Sequence, residues 1–181
     1  GITKEQLHKD AMQAAHARSP VCLYDMEEVM AESIFSVKPE NLFNREEPLD
    51  IGFVPIYILT NQDKLNGASV SAQEGVLEKV AELLGTNYYV LPSSIHELLI
   101  LPDNGSMQLS ELEAMVREVN ATQVAPEDRL SDKVQYYDRE TKLLQRGQEK
   151  SVLGRLSDKK AQLQQADHTA PKQPHRSEVS L

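Results

Sequence analysis

Tyr88–Pro102 reads YYVLPSSIHELLILP. Two apolar runs, Tyr88–Leu91 and Ile95–Leu101, are rich in Val, Ile, Leu and Tyr and are broken by Pro92, Ser93 and Ser94. That pattern predicts a β-hairpin with a proline-led turn. Its polar residues, Ser93, Ser94, His96 and Glu97, are the densest set of reactive side chains in the chain, yet they do not compose a recognised active site. The sequence by itself names no function.

Working outward, Ser71 and Glu74 form a capping-box pair ahead of Val76, Leu77, Val80, Leu83 and Leu84, and Gly85 stands where such a helix stops. Upstream of that helix, Phe53–Thr60 (FVPIYILT) is an almost unbroken apolar run, which suits a strand covered on both faces or central to a sheet. Pro55 then belongs at its start or on a free edge. The loop Asn61–Gly67 contains an Asn-Gly pair, and Ala68–Ser71 reads as a weak return strand, making a first hairpin. Downstream of the central hairpin, Asp103, Asn104 and Gly105 make a turn. Ser106 caps a helix carrying Leu109, Leu112, Met115, Val116 and Val119 that ends near Asn120. In LSDKVQYYD, Val134 and Tyr136 alternate with Gln135 and Tyr137, as in a last, edge strand.

At the N-terminus, Thr3 and Gln6 cap a helix over Lys4–Ala17 that ends at Ser19 and Pro20. Leu23, Met26, Val29, Met30 and Ile34 then predict a second helix over Tyr24–Phe35. The expected architecture is α+β, a two-layer domain in which an antiparallel sheet of about five strands carries helices on one face. Residues 1–36 form two extra helices packed on the core, 37–52 a connector, 53–145 the core, and 146–181 a polar, basic, largely disordered, flexible tail. Leu143, Leu144, Leu153, Leu156 and Leu163 could at most support a frayed helix there.

At 181 residues the chain suits one domain with a real core. Six tyrosines, three phenylalanines and no tryptophan make that core mainly aliphatic. The formal charge of −9 is uneven: residues 1–141 hold 11 Lys and Arg against 24 Asp and Glu, net −13, whereas 142–181 hold 8 against 4, net +4. An acidic body argues against a folded nucleic-acid grip. The basic residues of the tail, Lys150, Arg155, Lys159, Lys160, Lys172 and Arg176, are diluted by acids and read as a solubilising tail. Cys22 is the sole cysteine, which excludes a disulfide within the chain and a cysteine-based zinc cluster. With neither a membrane-spanning stretch nor a signal-peptide core, a cytoplasmic location is expected. The first residue is Gly1 instead of Met, as in a processed, tagged or truncated form of a longer protein.

Five motifs carry a family resemblance: ILTN at Ile58–Asn61, NGA at Asn66–Ala68, LPSSIHE at Leu91–Glu97, EVNAT at Glu118–Thr122 and LSD at Leu130–Asp132. In this order, over roughly Ile2–Leu144, the chain resembles an uncharacterised bacterial family, a domain of unknown function common in gut Firmicutes and often found in genomic islands and conjugative elements. The resemblance implies a mobile-element setting and, since such members carry a further N-terminal region, a C-terminal portion or shortened member. It transfers no activity, cofactor or catalytic residue.

The catalytic candidates are Ser93, Ser94, His96, Glu97 and, as a distant carboxylate, Asp132. A hydrolase needs a hydroxyl activated by an imidazole that a carboxylate orients. On an extended strand Ser94 and His96 share a face while Glu97 points to the other, so a local triad is poor geometry, and no G-x-S-x-G elbow is present. The competing reading has the serines and His96 satisfying backbone groups in the turn. His8, His16, His96, His168 and His175 are scattered. His8 and His16 lie about 80° apart on a helix and two turns apart in height, so no metal site is expected. No glycine-rich phosphate loop is present and no cofactor is expected. Adjacent tyrosine pairs, Tyr88 with Tyr89 and Tyr136 with Tyr137, should each turn one ring outward. Asn61, Tyr89, Asn120 and Tyr137 are the candidate binding-surface residues. The reading favoured is a non-enzymatic binding or interaction module with a protein partner. The alternatives are a hydrolase-like enzyme using His96 with Ser93 or Ser94, and an acidic nucleic-acid mimic that needs a stripe of carboxylates.

Overall fold

The computed structural model describes residues 1–51 and 55–147, with backbone alone at 12, 13 and 15–18. The expectations for Phe53, Val54, the His16 side chain and the whole of 148–181 lie outside the described residues. The elements in chain order are α1 (Lys4–Arg18), β1 (Val21–Asp25), α2 (Met26–Phe35), β2 (Tyr57–Asn61), α3 (Val76–Leu84), β3 (Tyr88–Leu91), β4 (Leu98–Pro102), α4 (Leu109–Thr122), β5 (Gln135–Asp138) and β6 (Leu143–Arg146). Short 3-10 helices occupy Leu42–Asn44, Gly67–Ala72 and Pro126–Asp128. The fold is α+β around an open antiparallel sheet of order β1-β2-β4-β3-β5-β6.

The central hairpin is β3 paired with β4, Tyr89 opposite Leu101 and Val90 opposite Ile100. Every residue of β3 is buried, because a run without polar alternation has two faces to cover. Tyr88, Val90, Leu98 and Ile100 pack with Val76, Val80, Leu83 and Leu84 of α3. Tyr89, Leu91 and Leu101 pack with Leu112 and Val116 of α4. Helices therefore cover both faces at the centre, where the sequence reading put them on one. For the same reason the tyrosine pairs do not turn one ring out. Tyr88 stacks on Tyr137 at 5.0 Å on one face, and Tyr89 meets Tyr136 at 5.1 Å on the other.

Four local expectations are corrected. Val21–Asp25 is a strand, and the helix starts only at Met26 because Asp25 caps it, its Oδ1 accepting the Glu27 N–H at 2.7 Å. Residues 68–71 wind as a 3-10 helix instead of returning as a strand, and α3 is entered through Gly75 at φ 77°, while the Ser71 hydroxyl donates back to Ala68 O. At α4 the capping residue is Gln108, whose N–H donates to Glu111 Oε2, in place of Ser106. β5 is interior: Asp138 accepts from the N–H groups of Glu140 and Thr141, and Lys142 at φ 57° turns the chain so that Leu143–Arg146 returns as β6 instead of helix. Among the described residues the sheet thus has six strands, β1 and β6 being gained and the expected strand at 68–71 lost.

The segment after α2 docks on the free side of β1. Asn41 Oδ1 accepts the Leu23 N–H at 3.0 Å and its Nδ2 donates to Val21 O at 3.1 Å, so one side chain stands in for a neighbouring strand. Leu42 beside it joins the core. α2 itself buries no residue, and Met30, Ile34 and Phe35 lie on the surface. No helix among the described residues is long and apolar enough to cross a membrane.

Candidate functional site: a junction of five motifs

The five motifs are distant in sequence and meet at one end of the sheet. β2 delivers Thr60 and Asn61 there, both buried. The Asn61 side chain closes the following loop, Oδ1 accepting the Leu65 N–H at 3.2 Å and Nδ2 donating to Leu65 O at 2.9 Å. Asn66 then adopts a left-handed conformation (φ 52°), which an asparagine tolerates better than most residues. Gly67 follows in so tight a space that an added Cβ would lie 2.1 Å from Thr60 Oγ1, 2.5 Å from His96 O and 2.7 Å from Asn61 N. The Asn-Gly pair seen in the sequence therefore serves a close backbone approach.

The turn between β3 and β4 spans residues 92–97 and is wider than expected, since Ile95 does not belong to β4. It is held on two sides. Along one, Ser94 pairs with Arg129 as an antiparallel bridge, and N–H groups of Ile95, Leu130 and Ser131 donate to Asp128 O, Ser93 O and Pro92 O at 2.8, 3.2 and 2.8 Å. Along the other, Ala68 N–H donates to Ile95 O at 3.1 Å and the Thr60 hydroxyl to His96 O at 2.8 Å. At the α4 end, buried Asn120 donates to Ser131 O at 3.3 Å and Asp132 Oδ1 at 2.6 Å. The LPSSIHE segment thus meets the ILTN, NGA and LSD motifs directly, and EVNAT joins them through its bonds to LSD.

His96 is hydrogen-bonded on one side of its ring and faces a carboxylate on the other. Its Nδ1 accepts the Asn66 N–H at 3.1 Å, and its Nε2 lies 3.4 Å from Asp128 Oδ1. A nitrogen that accepts carries no proton, so the neutral ring holds its proton on Nε2, facing the carboxylate. In that arrangement the Nδ1 lone pair is engaged by a backbone N–H. Ser94 Oγ accepts the backbone N–H of His96 at 3.0 Å, an ST-type turn, and Ser93 is buried. Glu97 is half-buried. The carboxylate beside His96 is Asp128. Asp132, offered by the sequence reading, bonds Asn120 instead. Asp128 lies 32 residues from His96 and follows no spacing rule, so only the pairing of 92–95 with 128–131 could reveal it.

The residues expected to form a binding surface are buried: Asn61, Tyr89, Asn120 and Tyr137 are 4%, 6%, 3% and 3% exposed. Asn120 Oδ1 is buried without a hydrogen-bond partner. What the junction does present is a shallow open cavity of about 370 Å³ lined by Asn66, Ala68, Ser69, Ile95 and Leu130. Its lining surface is mainly apolar, and Leu130 stands 49% exposed at its rim. Among the described residues, no group of three or more His, Cys, Asp and Glu side chains is placed to hold a metal ion.

No curated protein and no solved structure gives a match. Residues 1–139 match DUF5688, a family of unknown function, and the chain belongs to that family.

Proposed function

We propose that the protein is a non-enzymatic interaction module that seats an aliphatic side chain of a protein partner in the cavity between Ala68, Ile95 and Leu130. The observation that supports this reading is the setting of His96: Asn66 N–H donates to Nδ1 and Asp128 stands beside Nε2, an arrangement that suits a structural role for the ring. The two serines are spent or buried in the same way. What faces outward is an apolar hollow framed by the hydrogen-bonded 92–97 turn, and concave apolar sites favour binding. The acidic body favours a partner with basic residues around that side chain. A nucleic-acid mimic finds less support, because several carboxylates serve the fold: Glu113 pairs with Arg117 and Lys133, Glu40 with Arg45, and Glu28 accepts the Glu40 N–H. Bacterial origin, carriage on mobile elements and a cytoplasmic setting rest on the motif resemblance and composition, and belong to the same proposal.

The test is a photo-crosslinking residue at Ser69 of the full chain in cells. A discrete protein adduct is expected, lost on Leu130→Arg while the thermal midpoint moves by no more than about 2 °C. Absence of any adduct, or an adduct indifferent to Leu130→Arg, contradicts the cavity as the docking site.

A further inference from the structure

The two edges of the sheet are treated differently, and the difference points to self-association. At β1 the outward N–H of Leu23 and C=O of Val21 are both taken by the Asn41 side chain. At β6 no such cover exists among the described residues. Gly147 N–H donates to Val134 O at 2.9 Å, and Arg146 stands opposite Gln135. In an antiparallel ladder alternate residues direct their backbone groups to the same side. Leu143, Gln145 and Gly147 therefore bond toward β5, while Leu144 and Arg146 turn their N–H and C=O groups away from the sheet. β6 contains no proline, and Leu143 and Leu144 are 59% and 37% exposed. Open edges of this kind are templates for another strand.

We infer that β6 pairs antiparallel with β6 of a second copy of this chain, about a two-fold axis through Gln145. The register decides the occupant. An axis perpendicular to the sheet keeps faces matched only when it passes through a residue. Centred on Leu144, it sets Arg146 against the partner's Lys142, which lies outside β6 in the turn at φ 57° with its ammonium on Glu78, so only the Leu144 pair keeps its ladder bonds. Centred on Gln145, it sets Leu144 against the partner's Arg146 and Arg146 against the partner's Leu144, so the four outward N–H groups meet four outward C=O groups. Leu144 then lies under the aliphatic stem of the partner's arginine. On the other face Leu143 meets the partner's Gly147, which leaves it room, and the two Gln145 amides face each other across the axis. Such an interface is small, so dimerisation is weak and concentration-dependent.

Sedimentation equilibrium of the full chain from about 1 μM to about 1 mM is expected to show a monomer–dimer equilibrium. In hydrogen exchange, protection of the Leu144 and Arg146 amides should rise with concentration while that of Gln145 stays constant. Leu144→Arg, which places arginine against arginine twice, should weaken the dimer about tenfold, and Leu144→Glu should tighten it. A monomer throughout the range overturns the inference. So does a dimer that Leu144→Arg leaves unmoved, or protection of Leu144 and Arg146 at every concentration, which would mean that the chain covers its own edge.

Discussion

Gly67→Ala is expected to destabilise the protein by about 3 kcal/mol, at the upper end for overpacking. The reason is the identity of the obstacles. A flexible side chain could swing aside, but two of the three atoms that a Cβ would meet are backbone, His96 O at 2.5 Å and Asn61 N at 2.7 Å. The third, Thr60 Oγ1, is itself bonded to His96 O. Relief requires prising the 92–97 turn away from β2, which breaks the Thr60–His96 and Ala68–Ile95 bonds together. The measurement is urea unfolding, in which the midpoint should fall with little change in slope. Gly105→Ala is the control: it sits at φ 75° with nothing within 4 Å of an added Cβ, and backbone strain alone should cost about 1 kcal/mol. Equal losses at the two glycines would contradict the close approach.

Tyr88→Ala is expected to cost about 4 kcal/mol, within the range for truncating a buried aromatic. Tyr88 is fully buried, stacks on Tyr137, and donates its hydroxyl to Leu77 O at 2.9 Å, tying β3 to α3. Tyr88→Phe keeps the ring and should cost only about 1 kcal/mol. The phenol also ties stability to pH. Burial raises the Tyr88 pKa well above the ordinary tyrosine value, and burial likewise raises those of Tyr24, Tyr57 and Tyr137. A group whose folded pKa is raised holds its proton in the fold while the unfolded chain has lost it. Its contribution to stability is complete below the unfolded value of about 10 and falls away as pH rises beyond that. Unfolding midpoints should therefore hold steady to about pH 9 and drop steeply above about pH 10. The tyrosinate absorbance of Tyr88, read as the difference from Tyr88→Phe, should appear together with unfolding and not before it. Tyr88→Phe should shallow the drop, and an unchanged slope would remove Tyr88 from the cause.

Much of the fold was legible because its signals are local. YYVL and LLILP could scarcely be anything but paired strands, and Gly85 at φ 67° ends α3 where the sequence placed it. The misses arise where two local signals compete or where the decision is made at a distance. Leu23 stands three residues before Met26 and so imitates a helical repeat, yet pairing with Leu59 holds it in a strand. LLQR lacks β-branched residues, and only the Asp138 turn returns it to the sheet. The Asn-Gly pair was visible as punctuation, but that Gly67 lies against His96 O depends on a segment about thirty residues away. The candidate site divides in the same way. Its dense polar set was legible, but strand alternation does not govern it, because Ser94, His96 and Glu97 lie in the turn between β3 and β4. Asp128 and the donor from Asn66 were not readable, because a backbone N–H leaves no mark in a sequence.

The central proposal, that the LPSSIHE turn serves as a structural frame, turns on the state of one ring. Long-range nitrogen–proton NMR of the His96 imidazole at neutral pH reads it directly. The account predicts a proton on Nε2, an unprotonated Nδ1 with a shift typical of a hydrogen-bond acceptor, and an Asn66 amide protected from exchange. A ring protonated on Nδ1 with Nε2 free, beside an Asn66 amide that exchanges at the rate of an open loop, would leave His96 available as a base and contradict the account.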